Sequence, residues 1–576
     1  MNVRKQFVDI GDRRVMIRYA GCGPALVLLH QSPQNSRAML PWIQRLAEYY
    51  AVFAPDTPGF GDSDPLPLAQ PEVPDYAAAL SKLFDALGIE RALIYGVHTG
   101  AVTGLRFALD FPEKVAALVC DGYARFNALE REALLAHYLP PFEPLWDGSH
   151  LTWLFARMRE QHLFFPWHDS TQSARLAYPA PKPAHLHSAA LDVLEVGDGY
   201  RAGYRAPFLY DDMTAAARLD VPTAIYYRAE DVLAPHLQRL PGRPAHVTAE
   251  LIVGGAPALI ARADKMFAAH AAKASITDSA KCINAARSVA RMVIATDEGE
   301  LGFRVISGRG KGIVMHLHDI GCPHQTPVTT DLAGFTLLPD LPGHGASCGW
   351  SHERCAPDVV AKALLALVDW WGNWGDNMQN HKPNTAQHLE HMEHITIVAV
   401  GGSSVIGAEL ALLMGVRCTH LTLQNPLPLD AAERTQFLTQ LPDLTPTSTG
   451  AQFIEAWNFA RMKYLFWPWL NCTELNDRHA VRQTIAPAPR RVHAEVVEIL
   501  KADQCFHALW RESLAVDLAQ QLLRLTIPVE LLTTLENDSI PMEQLAQRLA
   551  SAAGLKPIAV AGGNTCSNVG WKSWRK

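Results

Sequence analysis

Cysteine is scarce in this chain: ten in 576 residues, none in a Cys-x-x-Cys pair. Cys348 and Cys355 are the nearest two, and their spacing fits no common zinc pattern. A disulfide scaffold is excluded, and reduced thiols in a cytoplasmic protein are expected. No apolar run approaches the ~20 residues that cross a bilayer. The stretch Met1–Asp9 lacks the apolar core of a signal peptide. Long runs of one charge are missing too, and the formal net charge is −7. That leaves neither a basic track for nucleic acid nor a patch for an anionic membrane. The expected partner is a small-molecule substrate, with no nucleic acid and no membrane.

What is present is an ordinary globular composition, 48% hydrophobic and 19% charged. The length asks for two or three domains of roughly 100–250 residues each. Phe7 to Ile17 alternates around Gly11-Asp12 like a hairpin. Ala25–Leu29, Val52–Pro55, Ala92–Gly96, Val115–Cys120 and Pro222–Tyr227 read as buried strands. Helical patterns lie between them, over Ser36–Tyr49, Tyr76–Leu87 and from just after His98 to Asp110. Strands alternating with helices predict a mostly parallel sheet flanked by helices, the α/β class.

Three segments carry the chemistry. Gly96-Val97-His98-Thr99-Gly100 stands between a strand and a helix. His30-Gln31-Ser32-Pro33 ends the Ala25–Leu29 strand. Asp56-Thr57-Pro58-Gly59-Phe60-Gly61-Asp62-Ser63 follows the next strand. Together they resemble the α/β-hydrolase superfamily: its G-x-S-x-G nucleophile elbow with His98 in the serine position, its H-G-x-P oxyanion loop, and its D-x-P-G-x-G-x-S turn. The resemblance implies a helical cap, here the aromatic-rich stretch from Asp121 to about Leu219. It also implies an oxyanion hole made by the Thr99 N–H and an N–H near Gln31.

The second half repeats the first. Gly312–Asp319 corresponds to the first oxyanion-loop strand, Leu338–Ser347 to the Asp56–Ser63 turn, and Ile395–Ser404 to the elbow. In the cap, Phe155-Ala156-Arg157-Met158 matches Phe459-Ala460-Arg461-Met462, and Phe165-Pro166-Trp167 matches Trp467-Pro468-Trp469. The expected organisation is two tandem α/β-hydrolase-like domains: 1–271 with a cap at 121–219, a linker at 272–288, and 289–576 with a cap at about 425–525. Asn373–His394 is polar and reads as an exposed insertion. The expected pairing is intramolecular, domain with domain, and leaves oligomerisation open.

His98 is the central candidate. With an ordinary pKa near 6.5 an imidazole needs no separate base, so it can act as nucleophile or as general base, or it marks a decayed elbow. The helix N-terminus is expected to lower its pKa and keep it neutral. The superfamily's distant catalytic histidine has no counterpart in Val253-Gly254-Gly255-Ala256-Pro257. A Ser-His-Asp relay is therefore absent, and Asp231 or Asp121 is the candidate to orient His98. Asp231 as a plain helix-capping carboxylate is the competing reading. In the cap, His150 and Arg157 lie seven residues apart on one helical face, and Arg157 is a candidate for holding a substrate carboxylate.

In the second half, aligning Gly401 with Gly96 puts Ser403 in the nucleophile slot. Val405 then crowds the turn, and about two residues are deleted before Gly407. Asp538 is a candidate acid, and Ala561–Thr565 lacks a histidine. His316, His318, Asp319 and His324 are explained by the oxyanion loop, so no metal is expected. The functional expectation is a cofactor-free hydrolase, or a related C–C or C–O bond-cleaving enzyme, with the second half degenerate. The alternative is a non-catalytic binding or scaffold protein built from two decayed domains.

Overall fold

The computed structural model describes residues 3–277, 289–308, 312–324, 334–377, 394–466, 488–534, 540–555 and 558–560. Most of the expected linker and insertion, the Trp467–Trp469 segment, Asp538 and Ala561–Thr565 lie outside these residues. The chain divides into two compact units. One is Met1–Glu143 with Ser149–Asn284, and the other is Pro144–Gly148 with Ala285–Lys576. Among the described residues no helix is long and apolar enough to cross a membrane.

The first unit is built on a nine-stranded sheet. Its strands are β1 (Arg4–Asp9), β2 (Arg14–Ala20), β3 (Ala25–Leu29), β4 (Ala51–Pro55), β5 (Ile89–Val97), β6 (Val115–Asp121), β7 (Thr223–Arg228), β8 (Val247–Ile252) and β9 (Ser275–Ile276). They lie in the order β1-β2-β4-β3-β5-β6-β7-β8, with β9 paired antiparallel to the start of β5. From β4 to β8 every neighbour is parallel. All five residues of β3 and all seven of β6 are buried, because helices cover both faces. That burial is why these segments read as unbroken apolar runs. Between β6 and β7 come four helices, Ala128–His137, Ser149–Leu163, Pro183–Val196 and Tyr200–Leu209. The first starts on a capping box: Asn127 accepts the Glu130 N–H and Glu130 returns to the Asn127 N–H.

The helix Thr99–Asp110 follows β5 after one residue, His98. Its small residues set how closely it lies on the sheet. A Cβ on Gly96 would strike the Gly100 carbonyl, and one on Gly100 would strike the carbonyls of Leu29 and His30.

The second unit carries an eight-stranded sheet. Its strands are β10 (Val289–Ala295), β11 (Glu300–Ser307), β12 (Ile313–Leu317), β13 (Phe335–Pro339), β14 (Ile395–Val400), β15 (Cys418–Gln424), β16 (Val529–Thr534) and β17 (Ile558–Val560). The order β10-β11-β13-β12-β14-β15-β16-β17 is the same crossover pattern as in the first sheet. Three loop hydrogen bonds correspond. His30 Nε2 accepts the Thr57 N–H at 2.9 Å and its Nδ1 donates to the Gln31 carbonyl. His318 Nε2 accepts the Leu341 N–H at 2.9 Å and its Nδ1 donates to the Asp319 carbonyl. Ser63 and Ser347 each donate to the carbonyl of the aspartate that opens the turn, Asp56 and Asp340. Of the matched cap motifs, Phe155–Met158 lies in the helix Ser149–Leu163 and Phe459–Met462 in the helix Ala451–Leu465.

Register corrects one expectation. Gly96 pairs with Leu29 and Cys120, while Ala399 pairs with Leu317 and Leu423. Counting on from these, Gly401 stands where His98 does, Val405 where Val102 does, and Gly407 where Gly104 does, with no deletion. Ser403 therefore does not stand in the nucleophile slot. It takes the place of Gly100, is fully buried, and donates to the Val400 carbonyl at 2.9 Å. The paired glycines misled the alignment, since Gly401 is itself the turn residue at φ +55°. Val405 sits inside the helix Ser404–Met414 and does not crowd the turn.

Gly96→Ala should lower the unfolding free energy by about 1–3 kcal/mol, read by urea denaturation. An unchanged midpoint would contradict the close helix-on-sheet contact.

Candidate active site

His98 is one of three non-glycine residues with positive φ among the described residues, at φ 49° and ψ −109°. L-residues seldom adopt this conformation, and a sharp strand-to-helix turn requires it. The turn is pinned by the His98 N–H, which donates to the Asp121 carbonyl at 2.9 Å. It holds the imidazole above the ends of β5 and β6, with 28% of the side chain exposed.

Asp231 meets it there. Its Oδ2 lies 2.8 Å from His98 Nε2. The carboxylate is buried, and its Oδ1 accepts the Leu233 N–H at 2.9 Å. Asp231 is thus not the N-cap of the following 3-10 helix, which begins after Leu233; it bonds the Leu233 N–H and the His98 ring. Arg228, at the end of β7, donates from Nη2 to Asp231 Oδ2 at 3.2 Å, and its Nε lies 3.4 Å from Asp121 Oδ1. The Tyr95 hydroxyl donates to Asp121 Oδ2 at 2.8 Å. Asp121 is thus near His98 but behind Arg228, and its contribution is charge.

The electrostatics follow. Burial opposes a charged imidazole, but the Asp231 charge and hydrogen bond, with Asp121 behind, raise the His98 pKa above its ordinary value. Burial works against ionised Asp231 too, yet His98, the Leu233 N–H and Arg228 hold its carboxyl well below the usual carboxylate range. Burial raises the Asp121 pKa, with Arg228 opposing. The expected lowering of His98 by the helix end is therefore reversed. A helix terminus contributes about 0.3–1 kcal/mol, whereas a hydrogen bond to a charged group contributes about 1.5–3 kcal/mol. Because Asp231 is an ionised acceptor, neutral His98 carries its proton on Nε2 and its lone pair on Nδ1. No described residue bonds to that Nδ1.

The expected oxyanion hole is altered. The Ser32 N–H, next to Gln31, donates to Thr99 Oγ1 at 2.7 Å, and Thr99 Oγ1 faces Ser32 Oγ at 3.1 Å. A neutral hydroxyl thus occupies the N–H that an oxyanion would need. The Gln31 side chain turns to Gln34 Oε1 at 2.8 Å. The second unit closes the same position more firmly. Asp319 Oδ1 accepts both the Ile320 N–H at 2.9 Å and the Gly402 N–H at 2.7 Å.

His150 and Arg157 lie in the helix Ser149–Leu163 of the cap. Both are buried in the cap, and Arg157 sits among the rings of Trp167, Tyr200 and Tyr138, with its guanidinium carbon 5.3–5.9 Å from their centroids. Their shared helical face, the sequence signal that singled them out, packs into aromatic core. Among the described residues, ligand atoms of His318, His324 and Asp340 lie within 4.8 Å of one another. Both His318 nitrogens are already engaged by backbone, which leaves no lone pair there for an ion.

Sequence reasoning missed three supports. Gly122, at φ +70°, leaves the room the imidazole fills; a Cβ there would lie 2.5 Å from His98 Cδ2 and 2.9 Å from Nε2. Tyr95 is a hydroxyl in an otherwise aliphatic strand, and Arg228 is a charge at a strand end. Both were visible as oddities of type. From the cap, Tyr178 feels Asp231, and burial together with that charge pushes its hydroxyl up to about 12.

Residues 24–238 match the family model of the alpha/beta hydrolase fold. Among curated proteins, the chain is 33% identical over 143 residues to a fluoroacetate dehalogenase of Burkholderia sp, covering 23% of this chain and 47% of that one. It is 30% identical over 118 residues to a 2-hydroxy-6-oxo-6-phenylhexa-2,4-dienoate hydrolase of Comamonas testosteroni, covering 20% and 41%. The chain thus spans less than half the length of either relative. The solved E-2-(acetamidomethylene)succinate hydrolase is 19% identical, with a TM-score of 0.35, covering 46% of this chain and 98% of that one.

Two outcomes test the site's geometry. Gly122→Ala should push the ring off Asp231 and return the His98 pKa toward its ordinary value, read by histidine side-chain NMR. The pair's contribution to stability also has a sign. Raised His98 stabilises below about pH 6.5 and loses this as pH rises through its folded value. Depressed Asp231 stabilises above about pH 4 and loses this as pH falls. Asp231→Asn should therefore cost more stability at pH 5 than at pH 9 in urea denaturation. An equal cost at both would contradict the pairing.

Proposed function

We propose that the first unit is a cofactor-free hydrolase, or a related C–C or C–O bond-cleaving enzyme, for a small organic substrate, with His98 as general base. The observation that carries this reading is the 2.8 Å contact between His98 Nε2 and Asp231 at the elbow. In a Ser-His-Asp site the aspartate holds a distant histidine that serves the elbow residue. Here the imidazole is the elbow residue and reaches the acid directly, so no second histidine is required. Its Nδ1 lone pair takes a proton from water or from an acidic C–H of the substrate, and Asp231 stabilises the imidazolium that forms. The Thr99 hydroxyl on the Ser32 N–H favours this over an acyl-imidazole route, which needs a vacant oxyanion hole. The relatives support a small, acidic substrate, since fluoroacetate and the phenylhexadienoate are both organic carboxylates.

The second unit reads as a degenerate hydrolase-type domain. The shared strand order and matched loop bonds support common architecture. Glycine at the turn and a carboxylate filling the oxyanion position support loss of catalysis.

A panel of short esters, thioesters, lactones and haloacids tests the proposal. His98→Ala should lower kcat/KM by about 10²–10⁴-fold, while Ser403→Ala should leave it unchanged. The activity should rise with pH through an apparent pKa above 6.5, because the base must be neutral. Asp231→Asn should move that limb to lower pH while reducing kcat. Turnover unchanged in His98→Ala would sink the mechanism.

A further inference from the structure

A cavity of about 300 Å³ opens in the second unit, at the N-terminal end of the helix Ser404–Met414. That volume falls at the lower end of small-molecule sites, about 300–1,000 Å³. Gly402 and Ser404 line one side of it, Arg434 and Ser513 another, and Leu427 and Leu549 supply apolar wall. It does not depend on the first unit's proposed chemistry, and no residue of the His98 site lines it.

Two buried hydroxyls in this lining are unexplained by the fold. Ser404 is 1% exposed and Ser513 2% exposed, and neither side-chain oxygen has a hydrogen-bond partner. A helical serine readily bonds the carbonyl one turn back, and neither does so. Unpaired buried polar groups are costly, so two around one cavity point to an absent bonding partner. Four charged residues line the cavity, Asp430, Asp517, Arg434 and Arg548. Asp430 accepts the N–H groups of Ala432 and Glu433, and Asp517 accepts that of Gln520, so both carboxylates are spent as helix caps. Arg548 is paired with Glu433 at 2.7 Å. Arg434 donates only to the Leu514 carbonyl, at 2.9 Å, and has no carboxylate among the described residues.

We propose that this cavity binds a small organic carboxylate with an apolar body. Arg434 would meet the carboxylate, Ser404 and Ser513 would donate to it, and the leucine wall would cover the rest. The second unit then keeps a ligand site after losing its elbow side chain.

Titration calorimetry on the full chain tests this, with benzoate and hexanoate as probes and benzamide as the neutral counterpart of benzoate. Saturable binding of at least one acid is expected, with benzamide at least tenfold weaker. Arg434→Leu should weaken the acid at least tenfold, and His98→Ala should leave its affinity unchanged. The double variant Ser404→Ala/Ser513→Ala should also weaken binding while melting no lower than the parent, since it removes two unpaired hydroxyls. That variant keeps the test intact if Arg434→Leu fails to fold. Absence of saturable binding by both acids, equal binding of benzamide, or retained affinity in the double variant would overturn the proposal. Loss of binding in His98→Ala would move the ligand to the first unit and overturn it as well.

Discussion

The hydrogen bond between the His98 ring and the Asp231 carboxylate joins the ends of β5 and β7 across β6, and the surrounding structure is arranged to permit it. A buried carboxylate is costly unless paired. Asp231 is paired three times over, by His98, by the Leu233 N–H and by Arg228. Arg228 in turn faces Asp121, which Tyr95 holds from the other side. The ring reaches this group only because His98 takes a left-handed turn conformation and because Gly122 presents no side chain. Strain at the turn and open space beside it thus serve one contact.

The two units show what the turn is worth without its side chain. Strand order and loop bonding are kept in both. In the second, glycine takes the turn at φ +55°, where its freedom makes the conformation cheap. The position over the turn then fills with Asp319, whose carboxylate accepts two backbone N–H groups. In the first unit a neutral hydroxyl, that of Thr99, takes one such N–H.

Much of this was legible in the chain. Unbroken apolar runs announced β3 and β6 because both faces of those strands are covered. The three loop motifs pointed to the candidate site, and Asp231 was a candidate from its place after β7. Other parts were not legible. The role of Ser403 turned on strand register, which a run of two glycines and two serines leaves ambiguous. Arg157 looked like a substrate anchor because helical spacing gives a face but not what packs on it. The direction of the His98 pKa depended on a contact 133 residues away, against which the nearby helix end is the weaker force.

Titration of the His98 ring by side-chain NMR tests the central claim most directly. If Asp231 holds the ring, His98 titrates above 6.5, its neutral form carries the proton on Nε2, and Asp231→Asn brings the pKa down. A His98 that titrates at or below its ordinary value, unmoved by Asp231→Asn, would contradict the account.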